Sequence, residues 1–309
     1  MAEQDRVAIV KYNGDLSGTL KKSLQLIGRS LFKEGDSPYI IKPNICTDKD
    51  PNGGATVDIN LVKALINEIL DFNINAEIKI IESDSYEKYI EKAFENHGYY
   101  RLVKDYRERN FNISLINLSK EPVTNIRIKG MYVNEINLPD ILLESCFLIS
   151  VAKAKTHKLT QITGVLKNQF GCLPQKDKTA YHRHIDETIV DINSIIRPNL
   201  CIIDGIIGME GVMRGPIKKL GVILCGSNPV CVDSVLAKTM GFKPSKIKHI
   251  VLAEKHGLGK IDPIVVGEKI DNVKIKFKTP SLGLAGTVWK NVPDSLYPIF
   301  KLVYRKIKK

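Results

Sequence analysis

The chain lacks the features of exported, membrane-spanning and metal-cluster proteins. It has six cysteines, but no two are spaced C-x-x-C, so it carries neither a zinc-ribbon nor a ferredoxin cluster motif. Its first residues show no basic flank followed by a long apolar run, and we expect no signal or transit peptide. Apolar stretches such as ILLESCFLISVA fall short of the roughly 18 residues that a membrane span needs. These absences predict a cytoplasmic protein with reduced cysteines.

Positive charge is in excess. The 46 lysines and arginines against 34 acidic residues leave a net charge of +12, which favours anionic partners. No helix-turn-helix, RNP or zinc-knuckle pattern accompanies this charge, so nucleic-acid binding is not expected. The last segment, LYPIFKLVYRKIKK, interleaves lysines with aromatic and aliphatic residues, as an interfacial amphipathic helix does. It predicts peripheral contact with a membrane or a protein partner, with a docked terminal helix as the alternative.

Short β-branched runs alternate with helical patterns along most of the chain. RVAIVKY precedes LSGTLKKSLQLIGRSLF, for example, and PYIIK precedes VDINLVKALINEIL. This alternation predicts an α/β fold with mainly parallel, doubly wound sheets. The length suits two joined lobes with a cleft between them. We predict an N-terminal α/β lobe over 1–145, a C-terminal α/β lobe over 146–279 and a basic aromatic tail over 280–309.

Two local patterns add detail to this fold. Between about Phe111 and Val133, the strand-like pieces ISLINL, NIRIK and MYVNEI follow one another without a helix, which predicts a local antiparallel insertion. Asn228 and Pro229 fit the cap and first-turn positions of the helix PVCVDSVLAKTM, since proline lacks only an amide hydrogen that would be unsatisfied there.

The strongest concentration of polar residues lies between Lys153 and His184, after the predicted strand CFLISVA. It holds half of the six histidines, together with glycines and a lysine inside the apolar turn TGVLKNQF. Because ligands bind outside the carboxyl ends of strands in open α/β sheets, this segment is the predicted functional site. Individual lysines in it could also be ordinary surface charges.

The predicted catalytic residues come from this segment. Partial burial of Lys167 would lower its pKa and make it a nucleophile, a base or an anion anchor, with a surface lysine as the alternative. His157, His182 and His184 are predicted to act in acid/base chemistry or to contact the ligand. His184-Ile185-Asp186 has the H-x-D spacing of a metal site to which His182 would add a ligand, although His184 or Asp186 could instead cap the following helix.

The residues predicted to bind a substrate or cofactor lie in polar segments at or after strand ends. They are Lys42, Asn44, Lys155, Thr163, Asn168, Asp204 and Glu210. Glu82 also ends a strand, whereas Asp84 with Glu87 makes an ordinary helix capping box. The glycine-rich loop after Asp204 matches neither G-x-G-x-x-G nor the P-loop pattern, so the sequence supports no nucleotide site.

Several ordered pieces of the chain resemble the family called domain of unknown function 362. They include IIKPNIC, VAKAKTHKLTQITGVLKNQFGCLP, YHRHID, IIDGIIGMEG and CGSNPVCVDSVLAKTMG, and together they span about residues 38–242. Many members look as if they carry a ferredoxin-type cluster domain, so the resemblance implies redox chemistry. This chain lacks that cysteine set and has a longer loop at Val212, Met213 and Arg214.

A more distant similarity is to the nickel-pincer lactate racemase family. His157 and Lys167 have the ten-residue spacing that this family shows between a histidine and the lysine that holds the cofactor, and His182 or His184 follows downstream. The similarity implies a two-lobed architecture with a cleft site and a cofactor held covalently at Lys167. The D-H-T-R-P and G-x-H-R pieces of that family are absent, which argues against lactate racemisation.

Two functions follow as hypotheses. The first is an enzyme that binds a small anionic substrate or cofactor in a cleft and uses lysine and histidine for acid/base or redox chemistry. The second is a non-catalytic accessory or electron-transfer protein that docks on a redox or other protein partner, or on a membrane, through its basic surface and tail.

Overall fold

A computed structural model describes residues 5–283 apart from 29–31, 33, 34, 36, 37, 50–52 and 87, together with Val292 and Leu296. The strands of this part are β1 (Arg6–Lys11), β2 (Tyr39–Pro43), β3 (Ile78–Glu82), β4 (Ile113–Asn117), β5 (Val123–Arg127), β6 (Glu135–Pro139), β7 (Phe147–His157), β8 (Gln161–Thr163), β9 (Leu200–Met209), β10 (Ile217–Lys218), β11 (Val222–Gly226) and β12 (Ile264–Gly267). The helices are α1 (Leu16–Ile27), α2 (Ile59–Phe72), α3 (Ile90–Asn96), α4 (Tyr99–Arg107), α5 (Val165–Asn168), α6 (Ile185–Ile195), α7 (Pro229–Thr239) and α8 (Lys248–Lys255).

One large sheet forms the centre of the fold. Its order is β12-β1-β11-β9-β7-β2-β3-β4, with β8 beside β7 and β10 beside β9. Along this path only β11 runs against the other strands. The predicted mainly parallel α/β fold is therefore confirmed. Strands of the ranges 1–145 and 146–279 share this sheet, because β2 pairs with β7 and β1 lies between β11 and β12; the division into lobes stays a prediction.

Helices cover both faces of the sheet. Along β1, Ala8 packs on the side of α1 to α4, whereas Val7 and Ile9 pack on the side of α5 to α8. The strands β2, β7 and β11 are buried along their whole length. A sheet covered on both faces explains why its strands are nearly continuous apolar runs in the sequence.

The predicted antiparallel insertion is correct for two of its three pieces. β5 and β6 pair antiparallel as a separate two-stranded sheet. The first piece, β4, instead joins the edge of the main sheet parallel to β3, because α3 and α4 supply the crossover that a parallel pair requires. The loop between β5 and β6 is held by Asp191 of α6, which accepts hydrogen bonds from the amides of Met131, Tyr132 and Val133 at 2.6, 3.0 and 2.9 Å.

The strand β7 is longer than the sequence predicts. It continues through Lys153 and Lys155 to His157, residues that the polar pattern placed in a loop. The chain stays extended there because β8 folds back on it, pairing Lys155 with Thr163, and because β9 continues to pair with it on the other side. Two lysines consequently lie inside the sheet rather than on the surface.

The described helices include none that combines the length and apolar character needed to cross a bilayer. The predicted tail over 280–309 falls almost entirely outside the described residues, so its prediction stays open.

The start of α7 is as predicted, and it provides a test of the fold. Asn228 Oδ1 accepts from the amides of Val230 (2.9 Å) and Cys231 (3.2 Å), with Pro229 in the first turn. We expect Asn228→Ala to lower the free energy of unfolding by about 1–2 kcal/mol, because these buried amides lose their acceptor. Urea denaturation measures the change. The exposed Asn112→Ala should change stability by less than about 0.5 kcal/mol; equal losses for both variants would contradict the assignment.

Candidate functional site

A cavity of about 400 Å³ opens at the carboxyl ends of β2, β3 and β7. The end of β2 contributes Lys42 and Asn44, the end of β3 contributes Glu82, and the end of β7 contributes His157. This is the edge where open α/β sheets bind ligands. The described residues that line the cavity include one carboxylate, Glu82, and six lysines: Lys42, Lys88, Lys158, Lys167, Lys176 and Lys178.

An ion pair between Lys42 and Glu82 lies in the wall of the cavity. The Nζ to Oε2 distance is 2.9 Å, and the side chains are only 1% and 5% exposed. Lys88 Nζ lies 3.9 Å from the other carboxylate oxygen and donates to the carbonyl of Ser83 at 2.6 Å. Burial opposes ionisation of Glu82, but Lys42 and Lys88 outweigh it and lower the pKa of the carboxyl below its usual 4.5. Glu82 is therefore ionised at neutral pH.

Asn168 and Gly171 enclose this ion pair. Asn168 Oδ1 accepts from Lys42 Nζ at 3.1 Å and from Asn44 Nδ2 at 3.3 Å, while its Nδ2 donates to the Lys42 carbonyl and the Ser150 hydroxyl. A Cβ on Gly171 would lie 2.7 Å from Lys42 Nζ and 2.8 Å from Glu82 Oε1. Only a glycine fits against the pair without displacing it.

Lys155 lies behind the cavity wall, only 1% exposed. It donates to Asn44 Oδ1 at 2.8 Å and to the Ala55 carbonyl at 2.7 Å, and it lies 3.2 Å from Cys46 Sγ. Burial lowers the pKa of Lys155, although the neighbouring Cys46 opposes the shift. Lys155 thus holds two residues that line the cavity, Asn44 and Cys46, in place.

The short helix α5 positions Lys167 and Asn168. Its first amides, of Val165 and Leu166, donate to the carboxylate of Asp233 in α7 at 2.6 and 3.0 Å. A Cβ on Gly164 would lie 2.1 Å from Asp233 Oδ1, so the approach of Asp233 requires a glycine there. Burial raises the pKa of Asp233 to about 6. The carboxylate of Asp233, which belongs to α7, thus accepts the hydrogen bonds that a capping side chain next to α5 would otherwise accept.

Lys167 is half-buried and lies next to Phe170, an aromatic residue that also lines the cavity. Its Nζ lies 5.4 Å from the centroid of the Phe170 ring. Burial, and then the positive charge of Lys155, lower the pKa of Lys167 to about 8. A substantial fraction of this amine is therefore neutral near physiological pH.

Two histidines of the cavity are neutral at pH 7. His157 Nδ1 accepts from the amides of Leu159 (3.1 Å) and Thr160 (3.3 Å), so the ring proton is carried by Nε2. Burial and then Lys167 lower the pKa of His157 well below its usual value. His182 stacks on Phe170 with ring centroids 6.0 Å apart, and burial followed by Lys167 lowers its pKa to about 4. Neutral rings add no positive charge to the cavity, and a neutral imidazole can both donate and accept a hydrogen bond.

The predicted metal site is not assembled. His184 stacks on Tyr132 at 4.1 Å, and Asp186 Oδ1 lies 3.4 Å from His249 Nδ1 of α8, away from His182. In the part of the chain that the structure describes, no three His, Cys, Asp or Glu side chains are grouped to hold a metal ion. The prediction assumed an extended segment, whereas α6 starts at Ile185 and turns the H-x-D side chains toward other elements.

Besides Lys155, three further predicted binding residues lie outside the lining of the cavity and join elements of the fold. Asp204 pairs with Lys153 at 2.7 Å and accepts from the amide of Asp58 at the start of α2. Thr163 Oγ1 lies 3.4 Å from the carbonyls of both Lys153 and Lys155. Glu210 accepts from the amide of Lys278 at 2.8 Å.

Of the six lysines that line the cavity, four were not predicted as site residues: Lys88, Lys158, Lys176 and Lys178. Lys178 donates to Ser83 Oγ at 3.1 Å and to the Asp84 carbonyl at 2.6 Å, and burial lowers its pKa to about 8. Lys88 follows the strand end ESDSY, and Lys178 lies inside the polar segment 153–184, so both had a positional signal. Asp84 Oδ1 accepts from the amide of Ile90 at the start of α3, which suits the structural role expected for Asp84.

A second cavity of about 500 Å³ adjoins the first. The two share Lys158, Val212 and Met213 as lining residues. The second cavity is also lined by Asp48, Lys49 and Arg214, so its described lining, too, carries more positive than negative charge.

Known proteins resemble the chain to different extents. The model of the family "Domain of unknown function (DUF362)" matches residues 40–238, close to the range predicted from the sequence. The thylakoid-associated protein sll1697 of Synechocystis sp. is 25% identical over 262 residues, which cover 79% of this chain and 76% of that protein. The structure of the lactate racemase apoprotein from Thermoanaerobacterium thermosaccharolyticum aligns with a TM-score of 0.43 at 12% identity, over 74% of this chain and 56% of the racemase chain.

The ion pair of the cavity wall makes a stability prediction. Glu82→Gln leaves Lys42 and Lys88 buried without a carboxylate, and we expect it to lower the free energy of unfolding by about 3 kcal/mol at neutral pH. Because folding lowers the pKa of Glu82, its contribution is complete above the usual 4.5 and is lost as the pH falls through the folded-state value. Urea denaturation from pH 7 downward should show the two proteins converging in acid.

A matched control lies just before the other end of β3. Glu77→Gln removes a carboxylate 37% exposed that lies 3.1 Å from Lys79, and we expect a change of less than about 1 kcal/mol. A Glu82→Gln protein as stable as Glu77→Gln would show that the buried pair does not stabilise the site.

Proposed function

Since the chain belongs to the DUF362 family, a domain of unknown function, we propose that it is an enzyme that binds a small anionic substrate in the lysine-lined cavity. One observation carries this proposal: among the residues that the structure describes, six lysines and a single carboxylate surround a space of about 400 Å³ at the carboxyl edge of the sheet. A site with this excess of positive charge selects a ligand that brings the missing negative charge.

The arrangement of the lysines supports an anionic ligand. Glu82 compensates the charge of Lys42, to which it is closest, and it lies farther from Lys88. Lys88 and Lys178 both converge on Ser83, although their ammonium groups repel each other. Like charges held together in a partly desolvated site are costly, and a bound carboxylate or phosphate would relieve that cost.

Acid/base chemistry is the reaction type that suits the remaining groups. The Nε2–H of His157 can donate a hydrogen bond to a substrate oxygen, and the neutral ring of His182 can accept a proton. Lys167 adds an amine whose pKa of about 8 lies close to the working pH. Covalent attachment of a cofactor to Lys167 stays a prediction from the family resemblance.

Isothermal titration calorimetry with sulfate tests anion binding. Sulfate keeps its charge between about pH 6 and pH 9, so changes in affinity report on the protein. We expect Lys178→Gln to weaken binding by about tenfold or more, because one charge-assisted hydrogen bond is lost. Affinity should also fall as the pH rises through about 8, where Lys167 and Lys178 lose their protons.

The exposed Lys63→Gln is the control, since it removes the same charge from a residue that does not line the cavity. If Lys63→Gln and Lys178→Gln weaken sulfate binding equally, the anion is attracted by net charge rather than bound in the cavity, and the proposal fails.

A second candidate function is docking on an anionic membrane surface as an accessory protein. The relative from Synechocystis carries the name thylakoid-associated protein, and this chain has a net charge of +12. Each lysine or arginine close to an anionic membrane surface contributes about 1 kcal/mol to binding, so a short basic segment is sufficient to hold a protein at that surface. The basic aromatic tail over 280–309 is the predicted contact.

Co-sedimentation of the full chain with phosphatidylserine-containing vesicles tests this second candidate. We expect neutralisation of Arg305, Lys306, Lys308 and Lys309 to glutamine to reduce the bound fraction strongly. A control with Lys21, Lys22, Lys92 and Lys104 changed to glutamine removes equal charge from exposed helix positions. Equal losses for both variants, or binding to vesicles of phosphatidylcholine alone, would argue against docking through the tail.

A further inference from the structure

The lysines of the cavity differ in what their amines contact. Lys42 donates to Glu82 and Asn168, Lys88 donates to the Ser83 carbonyl, and Lys178 donates to the Ser83 hydroxyl and the Asp84 carbonyl. Burial lowers the pKa of Lys178 to about 8, as it does that of Lys167, but the amines of Lys42, Lys88 and Lys178 are already engaged by these acceptors. These three lysines are therefore suited to hold an anion and poorly suited to act as nucleophiles.

Lys167 is in a different position. Among the described residues, no carboxylate lies within 4 Å of its Nζ and no hydrogen-bond acceptor contacts it; its neighbour is the Phe170 ring at 5.4 Å. The two remaining lysines differ again, since Lys158 is exposed and Lys176 Nζ lies 3.6 Å from the centroid of the Tyr89 ring. An amine that is partly desolvated, lies near other cations and lacks an acceptor loses its proton readily. Its lone pair can then attack an electrophile.

We propose that Lys167 is a nucleophile that forms an imine with small anionic carbonyl compounds, of which 2-oxo acids are the substrate class. The inference rests on the proposed function, because the neighbouring lysines must hold the carboxylate while Lys167 reaches the adjacent carbonyl. Helix α5 supports this geometry: it carries Lys167 next to Asn168, which is hydrogen-bonded to Lys42. In a 2-oxo acid the carboxylate and the carbonyl are on neighbouring carbons. The carboxylate suits the ammonium groups of the cavity, and the carbonyl suits the amine of Lys167, which has no acceptor among the described residues.

The reaction balances without an oxidant or a reductant. The Lys167 lone pair attacks the carbonyl carbon, an N–C bond forms, and the carbonyl π electrons move to oxygen, where the His157 Nε2–H can donate a hydrogen bond. One proton passes from nitrogen to that oxygen, for which the neutral His182 ring is an available carrier. The nitrogen lone pair of the carbinolamine then expels the hydroxyl group, which takes up a second proton and leaves as water, and loss of the remaining N–H proton gives the imine. One amine and one carbonyl thus give one imine and one water.

Reductive trapping tests the inference on the full chain. The protein is incubated with glyoxylate and cyanoborohydride, which would convert an imine at Lys167 into a carboxymethyl-lysine. Intact-mass measurement should show one carboxymethyl group per chain, and peptide mapping should place it on Lys167. Glycolaldehyde, which is neutral and of similar size, should label Lys167 at least about tenfold more slowly, and sulfate should slow labelling by glyoxylate.

Two variants sharpen the test. Lys167→Arg keeps the positive charge and removes the nucleophile, so labelling should be lost while sulfate still binds. Lys63→Arg keeps the charge, lies outside the cavity lining and leaves Lys167 in place, so the adduct on Lys167 should remain. Should Lys167→Arg fail to fold, the peptide map of the unaltered protein still decides between Lys167 and the other lysines.

The outcomes separate this inference from the proposed function. Sulfate binding with label on Lys178, or with label scattered over surface lysines, would overturn the nucleophilic role of Lys167 and leave the anion site intact. Labelling of Lys167 that neither sulfate nor the charge of the aldehyde affects would overturn the assignment to anionic carbonyl compounds. Absence of sulfate binding together with absence of labelling would remove both.

Discussion

The arrangement of the site depends on one buried ion pair, between Lys42 and Glu82. A charge taken out of water must be compensated, and here the compensation determines where β2, β3 and the segment from α5 to Gly171 meet. Lys42 ends β2, Glu82 ends β3, Asn168 of α5 closes over the ammonium, and the Gly171 backbone lies against both charged groups. The buried ammonium of Lys155, behind the cavity wall, must likewise be compensated, and it is held by Asn44 and Cys46. Positive charge is thus built into the interior before any ligand arrives.

Much of the fold could be predicted because it follows from the periodicity of apolar residues along short segments of the sequence. Alternating strand and helix patterns imply parallel pairing, and Asn228 followed by Pro229 marks the start of a helix. The single sheet could not be predicted in this way, since the position of β1 between β11 and β12 is a contact between the two ends of the pattern. The extension of β7 to His157 could not be predicted either, because lysines are typical of loops in a sequence pattern and their buried partners are known only from the structure.

The site was predictable to the extent that its residues follow strands. Lys42, Asn44, His157, Lys167, Asn168 and His182 lie around one cavity because they come from strand ends or the segment after β7. The sequence could not separate them from Asp204, Glu210 or His184, since spacing along the chain does not tell which side chain faces which neighbour. Asp233 shows the limit most clearly, because it holds the start of α5 although 67 residues separate it from Leu166.

The position of β1 has a consequence for how the protein is made. As the chain leaves the ribosome, β1 emerges well before both of its partners, β11 and β12, which lie beyond residue 221. Until they are synthesised, an apolar strand is left with two open edges, a state in which strands pair with the wrong partners. Early packing of α1 against β1 would shield one face but neither edge. We therefore expect synthesis to be the most vulnerable period of this protein, and its vulnerability to end only when the last strand of the sheet is in place.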